Sequence, residues 1–131
     1  MQLTLENPDF RYLLRGADAA SALVNERRLA SSFLVSPSML VESWRPRSAA
    51  DLQLEDMEPI LALEPSVVLI GSGGSLVFPS AEVMAACLTR GIGIEVMDNA
   101  AAARTFNVLA TESRRVVAGF LLPGPGADRI G

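Results

Sequence analysis

One stretch restricts the fold more than any other. Residues 67–70 form an unbroken apolar run that ends in Gly71-Ser72-Gly73-Gly74. That is the pattern of a strand buried on both faces and emptying into a tight turn. Pro79 and Ser80 then open a helix whose buried stripe is Val83, Met84, Cys87 and Leu88, and Gly91 closes it. Residues 92–97 follow as a second buried strand. Strand, helix and strand in this order make a βαβ unit, with parallel strands and a right-handed crossover. Asp98 or Asn99 caps a third helix that runs to about Thr111, and residues 114–122 supply a last strand.

The N-terminal part has a different rhythm. Residues 2–5, 12–14, 23–24, 33–35 and 40–44 are short apolar or alternating segments, separated by Asn7-Pro8, Gly16, Asn25 and Ser36-Pro37. Hairpins or a meander fit that spacing. Beyond Trp44-Arg45-Pro46, the residues Leu52, Met57, Ile60 and Leu61 take helical spacing, with Pro59 tolerable in a first turn and Pro65 as the stop. No repeat or long polar linker divides the 131 residues, a length that suits one domain with its own core. The predicted fold class is α/β. It comprises three layers, in which a mixed central sheet with a C-terminal β-α-β-α-β segment is covered by helices and by an N-terminal β-rich layer. Residues 123–131 hold three Gly and two Pro and read as a loosely ordered tail.

Composition removes whole classes of chemistry. All eleven cations are Arg, there is no His or Lys, and Cys87 stands alone. That excludes a Ser-His-Asp or Cys-His relay, an imidazole-built zinc site, a Schiff base, a P-loop lysine and an internal disulfide. No catalytic residue, metal site or cofactor is therefore assigned. A net charge of −4 speaks against nucleic acid, because phosphates need a concentrated basic patch. The pairs Arg27-Arg28, Arg45 with Arg47, and Arg114-Arg115 read as solvated strand edges. No secretory signal opens the chain and no apolar run spans a bilayer, so a cytoplasmic protein without membrane insertion is expected.

Two features have the residue types for binding. The turn Gly71-Ser72-Gly73-Gly74 lies where a dinucleotide fingerprint would lie, yet Leu76 and Phe78-Pro79 break the required spacing. A backbone nest for a small anion remains open beside the simpler reading of glycines permitting a turn. On the third helix, Arg104, Asn107 and Thr111 fall on one face, while Ala102, Phe106 and Leu109 fall opposite. Asp98 leaves a parallel strand on the same side as the glycine turn, so Gly71, Ser72, Gly73, Gly74, Asp98, Arg104 and Asn107 can line one polar pocket. Alternatively Asp98 is an N-cap and Arg104 is structural. Cys87 reads as a buried inert thiol, and Trp44 as an anchor in the core or at a layer boundary. Glu55, Asp56 and Glu58 suit a helix N-terminus.

Several of these runs carry a family resemblance. Leu69-Ile70-Gly71-Ser72-Gly73, Phe78-Pro79, residues 91–98, Ala102, residues 104–109 and residues 112–116, with Leu23-Val24-Asn25 and Trp44 in the first half, resemble a family of small domains. Its members include mitochondrial respiratory complex I assembly factor 3 and the adipogenesis-associated domain protein. The resemblance implies a three-layer α/β domain with a mixed sheet and no established activity or cofactor. Ser72 replaces a common Thr and Phe106 an often-seen Tyr. Any chemistry of that tyrosine hydroxyl is absent here, whereas a packing role of the ring is kept.

Two functions follow as expectations. The first is a non-enzymatic interaction domain of assembly-factor type with a protein partner. The alternative is a small-anion or metabolite-binding protein, either a binder or an enzyme, with its pocket at the C-terminal ends of the parallel strands. Neither the partner nor the oligomeric state is legible from the residues.

Overall fold

The computed structural model describes residues 11–126. The parallel unit is built as its sequence dictates. β6 (Val67–Gly71) is buried at every position because both faces are covered. It pairs in parallel with β7 (Gly93–Met97) on one side and with β8 (Val116–Pro123) on the other. The five-stranded mixed sheet has the order β5-β4-β8-β6-β7, where β4 (Ser31–Val35) joins β8 antiparallel and β5 (Leu40–Val41) forms the far edge. A separate antiparallel sheet holds β1 (Leu14–Ala17), β2 (Ala22–Val24) and β3 (Arg27–Leu29).

Two crossovers leave the centre in opposite directions. The first passes from β6 outward to β7 through α2 (Ala81–Leu88), and the second returns across β6 to β8 through α3 (Asn99–Thr111). Right-handed crossovers running in opposite directions place their helices on opposite faces. Strand alternation keeps the two cores apart. Val67, Leu69, Val116, Ala118 and Phe120 join α3 residues Ala102 and Phe106 in one cluster, with Val24 and Leu29 of the small sheet. Val68, Ile70, Val117 and Leu121 join Val83, Ala86 and Cys87 of α2 in the other. Phe33 and Phe120, direct partners in register, stack with centroids 5.0 Å apart and planes 11° from parallel. The result is the expected three-layer α/β domain: small sheet with α3, mixed sheet, then α2 with the short helices.

The second cluster closes around Trp44. Its Nε1 donates to the Asp56 carbonyl at 3.0 Å, and its ring occupies the space beside Gly119, where an added Cβ would sit 2.6 Å from the indole. Asp56 caps the 3₁₀ turn Leu54–Met57 by accepting from the Gln53 N–H at 2.8 Å. It also receives Arg45 through Nε at 2.9 Å and Nη2 at 2.7 Å. That bidentate guanidinium holds the Asp56 carboxyl below the usual range, against its burial.

Several expectations shift. The segment 92–97 is an edge strand, half exposed, because β6 has its other neighbour in β8. In α2, Val83, Ala86 and Cys87 are buried while Leu88 faces solvent, since an outer-layer helix buries one narrow stripe. Pro59 does open a helix, but α1 (Glu58–Leu61) is one turn preceded by two 3₁₀ turns, Ala49–Asp51 and Leu54–Met57. The strand expected over 40–44 covers only Leu40–Val41, because Trp44 turns into the helical layer. The segment expected at 12–14 begins at Leu14 and continues past Gly16 to Ala17. The strand expected at 2–5 lies outside the described residues, as does most of the expected tail, although Pro123 still belongs to β8.

Candidate functional site

The glycine turn and the start of α3 meet at the C-terminal ends of β6 and β7. Asp98 is the N-cap, its Oδ1 accepting from the Ala101 N–H at 2.8 Å. Ser72 Oγ donates to the Ser75 carbonyl at 2.7 Å and accepts from the Val77 N–H at 3.1 Å, which folds the turn onto itself. Gly73 has φ of +110°, a conformation that glycine adopts without penalty. Its carbonyl accepts from the Asn99 N–H at 2.8 Å.

Asn99 organises this end. It is completely buried. Its Oδ1 accepts from the Gly73 N–H at 3.1 Å, and its Nδ2 donates to the carbonyls of Asp18 at 2.9 Å and Leu121 at 3.1 Å. One amide therefore joins the glycine turn, the tip of the β1–β2 hairpin and β8. A Cβ on Gly71 would overlap Asn99 Oδ1, and one on Gly74 would lie 2.9 Å from Ala19 Cβ. The hairpin tip abuts the turn at Gly74, which stays exposed. It is itself fixed by Asp18, whose Oδ1 accepts from the Ala20 and Ser21 N–H groups at 2.9 and 3.0 Å, contacts that keep its carboxyl below the usual range.

The residues singled out in the sequence thus divide. Gly71, Ser72, Gly73, Gly74 and Asp98 come together, but the N–H groups of Ser72 and Gly73 already donate to Met97 and Asn99. Asn107 is drawn elsewhere: its Oδ1 accepts from the Leu14 N–H at 3.0 Å and its Nδ2 donates to the Leu14 carbonyl at 2.7 Å, pinning β1 to α3. Arg104 stays exposed on α3 and has no hydrogen-bond or ion-pair partner among the described residues. It lies six residue steps beyond Asp98, about 9 Å along the helix axis. Cys87 is fully buried and its thiol is pushed up by desolvation, as an inert core cysteine should be.

A second polar place lies at the opposite ends of the parallel strands. A cleft of about 310 Å³ there is bordered by Ser36, Ser113, Arg114 and Arg115. The sequence alone marks Arg114-Arg115 only as a solvated pair, because Ser36 is far away along the chain. Among the described residues no group of three or more His, Cys, Asp or Glu is arranged to hold a metal ion.

A family model described as a protein of unknown function, DUF498/DUF598, matches residues 14–121, which include the glycine turn, α3 and most of β8. The chain belongs to this family. A zebrafish (Danio rerio) relative, named NADH dehydrogenase (ubiquinone) 1 alpha subcomplex assembly factor 3, is 34% identical over 98 residues, or 73% of this chain and 55% of its own length. The chain spans about half the length of the curated relatives it matches. A Xanthomonas campestris protein solved by NMR is 52% identical and covers 95% of both chains with a TM-score of 0.82. A Bordetella pertussis protein described as a Mth938-like domain superposes with a TM-score of 0.78 at 24% identity, covering 100% of this chain and 98% of its own, which shows the shared fold. Of the two departures from the family pattern, Phe106 is completely buried in the α3 core, so its ring acts in packing. Ser72 retains the hydroxyl that folds the turn.

Proposed function

We propose that the domain is a non-enzymatic interaction module of assembly-factor type that docks a protein partner. The relatives' name points to assembly work, and one observation on this chain supports a protein contact. Leu76, Val77 and Phe78 stand 54, 46 and 62% exposed in succession, on a loop anchored by the Val77 N–H to Ser72 Oγ. Three large apolar side chains held in water by a braced loop are a feature of recognition surfaces. Arg104, exposed and without a partner among the described residues, is the polar residue assigned to the same role. No helix of the described residues is long and apolar enough to cross a membrane.

The test is recovery of a stoichiometric partner from the native host, followed by reconstitution from purified components. Phe78→Ser is expected to weaken the complex roughly tenfold or more, and Arg104→Ala to weaken it less, with both variants melting as the wild type does. Failure to recover a partner, or wild-type affinity in both variants, overturns the reading. The alternative pocket at the C-terminal ends of the strands, built from Gly71, Ser72, Gly73, Gly74, Asp98, Arg104 and Asn107, would need the Ser72 and Gly73 N–H groups and the Asn107 amide to leave the partners they already hold. No observation favours that.

A further inference from the structure

We propose that the cleft at the N-terminal ends of β6 and β8 binds a small organic anion, a carboxylate or phosphate monoester carried on a short apolar body. Its lining carries two arginines and no carboxylate, in a chain whose net charge is −4. Several other arginines are engaged: Arg27 pairs with Glu42, Arg45 with Asp51 and Asp56, Arg28 bonds Ser21 Oγ and Arg90 donates to the Ala86 carbonyl. Arg114 has no side-chain partner among the described residues. Arg115 is half fixed: its Nε donates to the Glu64 carbonyl at 3.0 Å, and its own carbonyl accepts from the Ser66 N–H at 2.8 Å. That leaves its two terminal nitrogens without partners among the described residues, on a guanidinium whose position is set. Such a planar fork matches carboxylate and phosphate oxygens in pairs.

A buried hydroxyl points to the same ligand. Ser36 is only 8% exposed, and its Oγ accepts from the Met39 N–H at 3.0 Å and the Ser38 N–H at 3.4 Å. Its own O–H finds no acceptor among the described residues, although a buried donor ordinarily has one. An anion in the cleft would supply it. The last carbonyls of α3 do not oppose this, because the Ser113 N–H takes the Ala110 carbonyl at 3.0 Å and the Arg114 N–H takes that of Leu109 at 3.1 Å. The turn depends on Ser113 in the left-handed region, with φ of +61°. Leu63, Ala110 and Val117 provide an apolar floor, and the volume is at the small end of ligand sites. The site is independent of the proposed protein contact.

The experiment is an amide-resolved NMR titration of the full chain with hexanoate, hexyl phosphate and inorganic phosphate, using hexanol and hexyltrimethylammonium as controls. Saturable shifts are expected at Ser36, Ser113, Val116 and Val117 with one or both hexyl anions, weaker ones with inorganic phosphate, and none with the controls. The tighter of the two hexyl anions identifies the headgroup. Arg114→Gln, an exposed substitution, is expected to weaken binding by roughly 10- to 100-fold, the loss of one charge-assisted hydrogen bond. Ser36→Ala, checked for an unchanged amide spectrum away from the cleft, should weaken it less. Absence of saturable shifts, shifts scattered over other arginines, equal affinity in Arg114→Gln, or the same response to either control overturns the assignment.

Discussion

The two ends of the parallel strands treat their polar groups in opposite ways. At the C-terminal end, where open α/β sheets usually keep a ligand crevice, Asn99 bonds the glycine turn to the β1–β2 hairpin tip, which abuts it at Gly74. At the N-terminal end, the Arg114 side chain, the terminal nitrogens of Arg115 and the Ser36 proton lack partners among the described residues, and a cleft stands open. Glycines after a strand therefore mark a place where backbone must approach closely. What approaches is decided by the rest of the fold.

The largest effect should come from breaking the filled end. Asn99→Ala removes the partner of the Gly73 N–H and of the Asp18 and Leu121 carbonyls, the last of them in a buried contact, and is expected to cost about 2–4 kcal/mol in urea denaturation. A loss under about 1 kcal/mol would mean that the C-terminal end is looser than its contacts indicate. Gly71→Ala tests the same end from the other side. Its Cβ collides with Asn99 and comes within 3.1 Å of Phe120, for an expected loss of about 1–3 kcal/mol. Gly93→Ala, whose nearest new neighbour is 3.9 Å away, should stay within about 0.5 kcal/mol. Equal effects at the two glycines would remove the distinction.

Acid should act chiefly through Asp56, the buried member of the lowered carboxyls, with solvent-screened Asp18 and Asp51 adding less. The folded pKa of Asp56 lies below the unfolded value, so its contribution is complete above the unfolded carboxylate range, near about pH 4, and is lost as pH falls through the folded value. Asp56→Asn is expected to cost about 1–2 kcal/mol at pH 7, discounted because Arg45 is half exposed. It should also flatten the acid limb of a stability–pH profile. An unchanged limb would assign acid sensitivity elsewhere. The smallest change belongs to the open end: Arg114→Gln should shift stability by no more than about 0.5 kcal/mol while it weakens anion binding. A large destabilisation there would make Arg114 a structural residue.

Legibility followed sequence distance. Ser80 and Asp98 were readable as N-caps because each bonds an amide three residues ahead. The buried run 67–70, the order β-α-β-α-β and the packing face of α3 were readable from periodicity. Asn99 and Asn107 were not readable in their actual roles, since they reach Asp18 and Leu14 across 81 and 93 residues. The same limit made β7 look like an interior strand, when only the return of β8 to the other side of β6 leaves it at the edge. It also left Arg114-Arg115 as an ordinary solvated pair, because Ser36 comes beside them only through β4 and β8.

By itself, then, the sequence determined the layers, the parallel unit, the caps and a chemistry without imidazole, amine or paired thiols, because these depend on local backbone preference, periodicity and composition. Only the tertiary structure decided which polar groups were already satisfied and which remained available. Satisfaction of a buried donor or acceptor is a property of pairs, and here the partners lie on different elements brought together by hydrophobic burial.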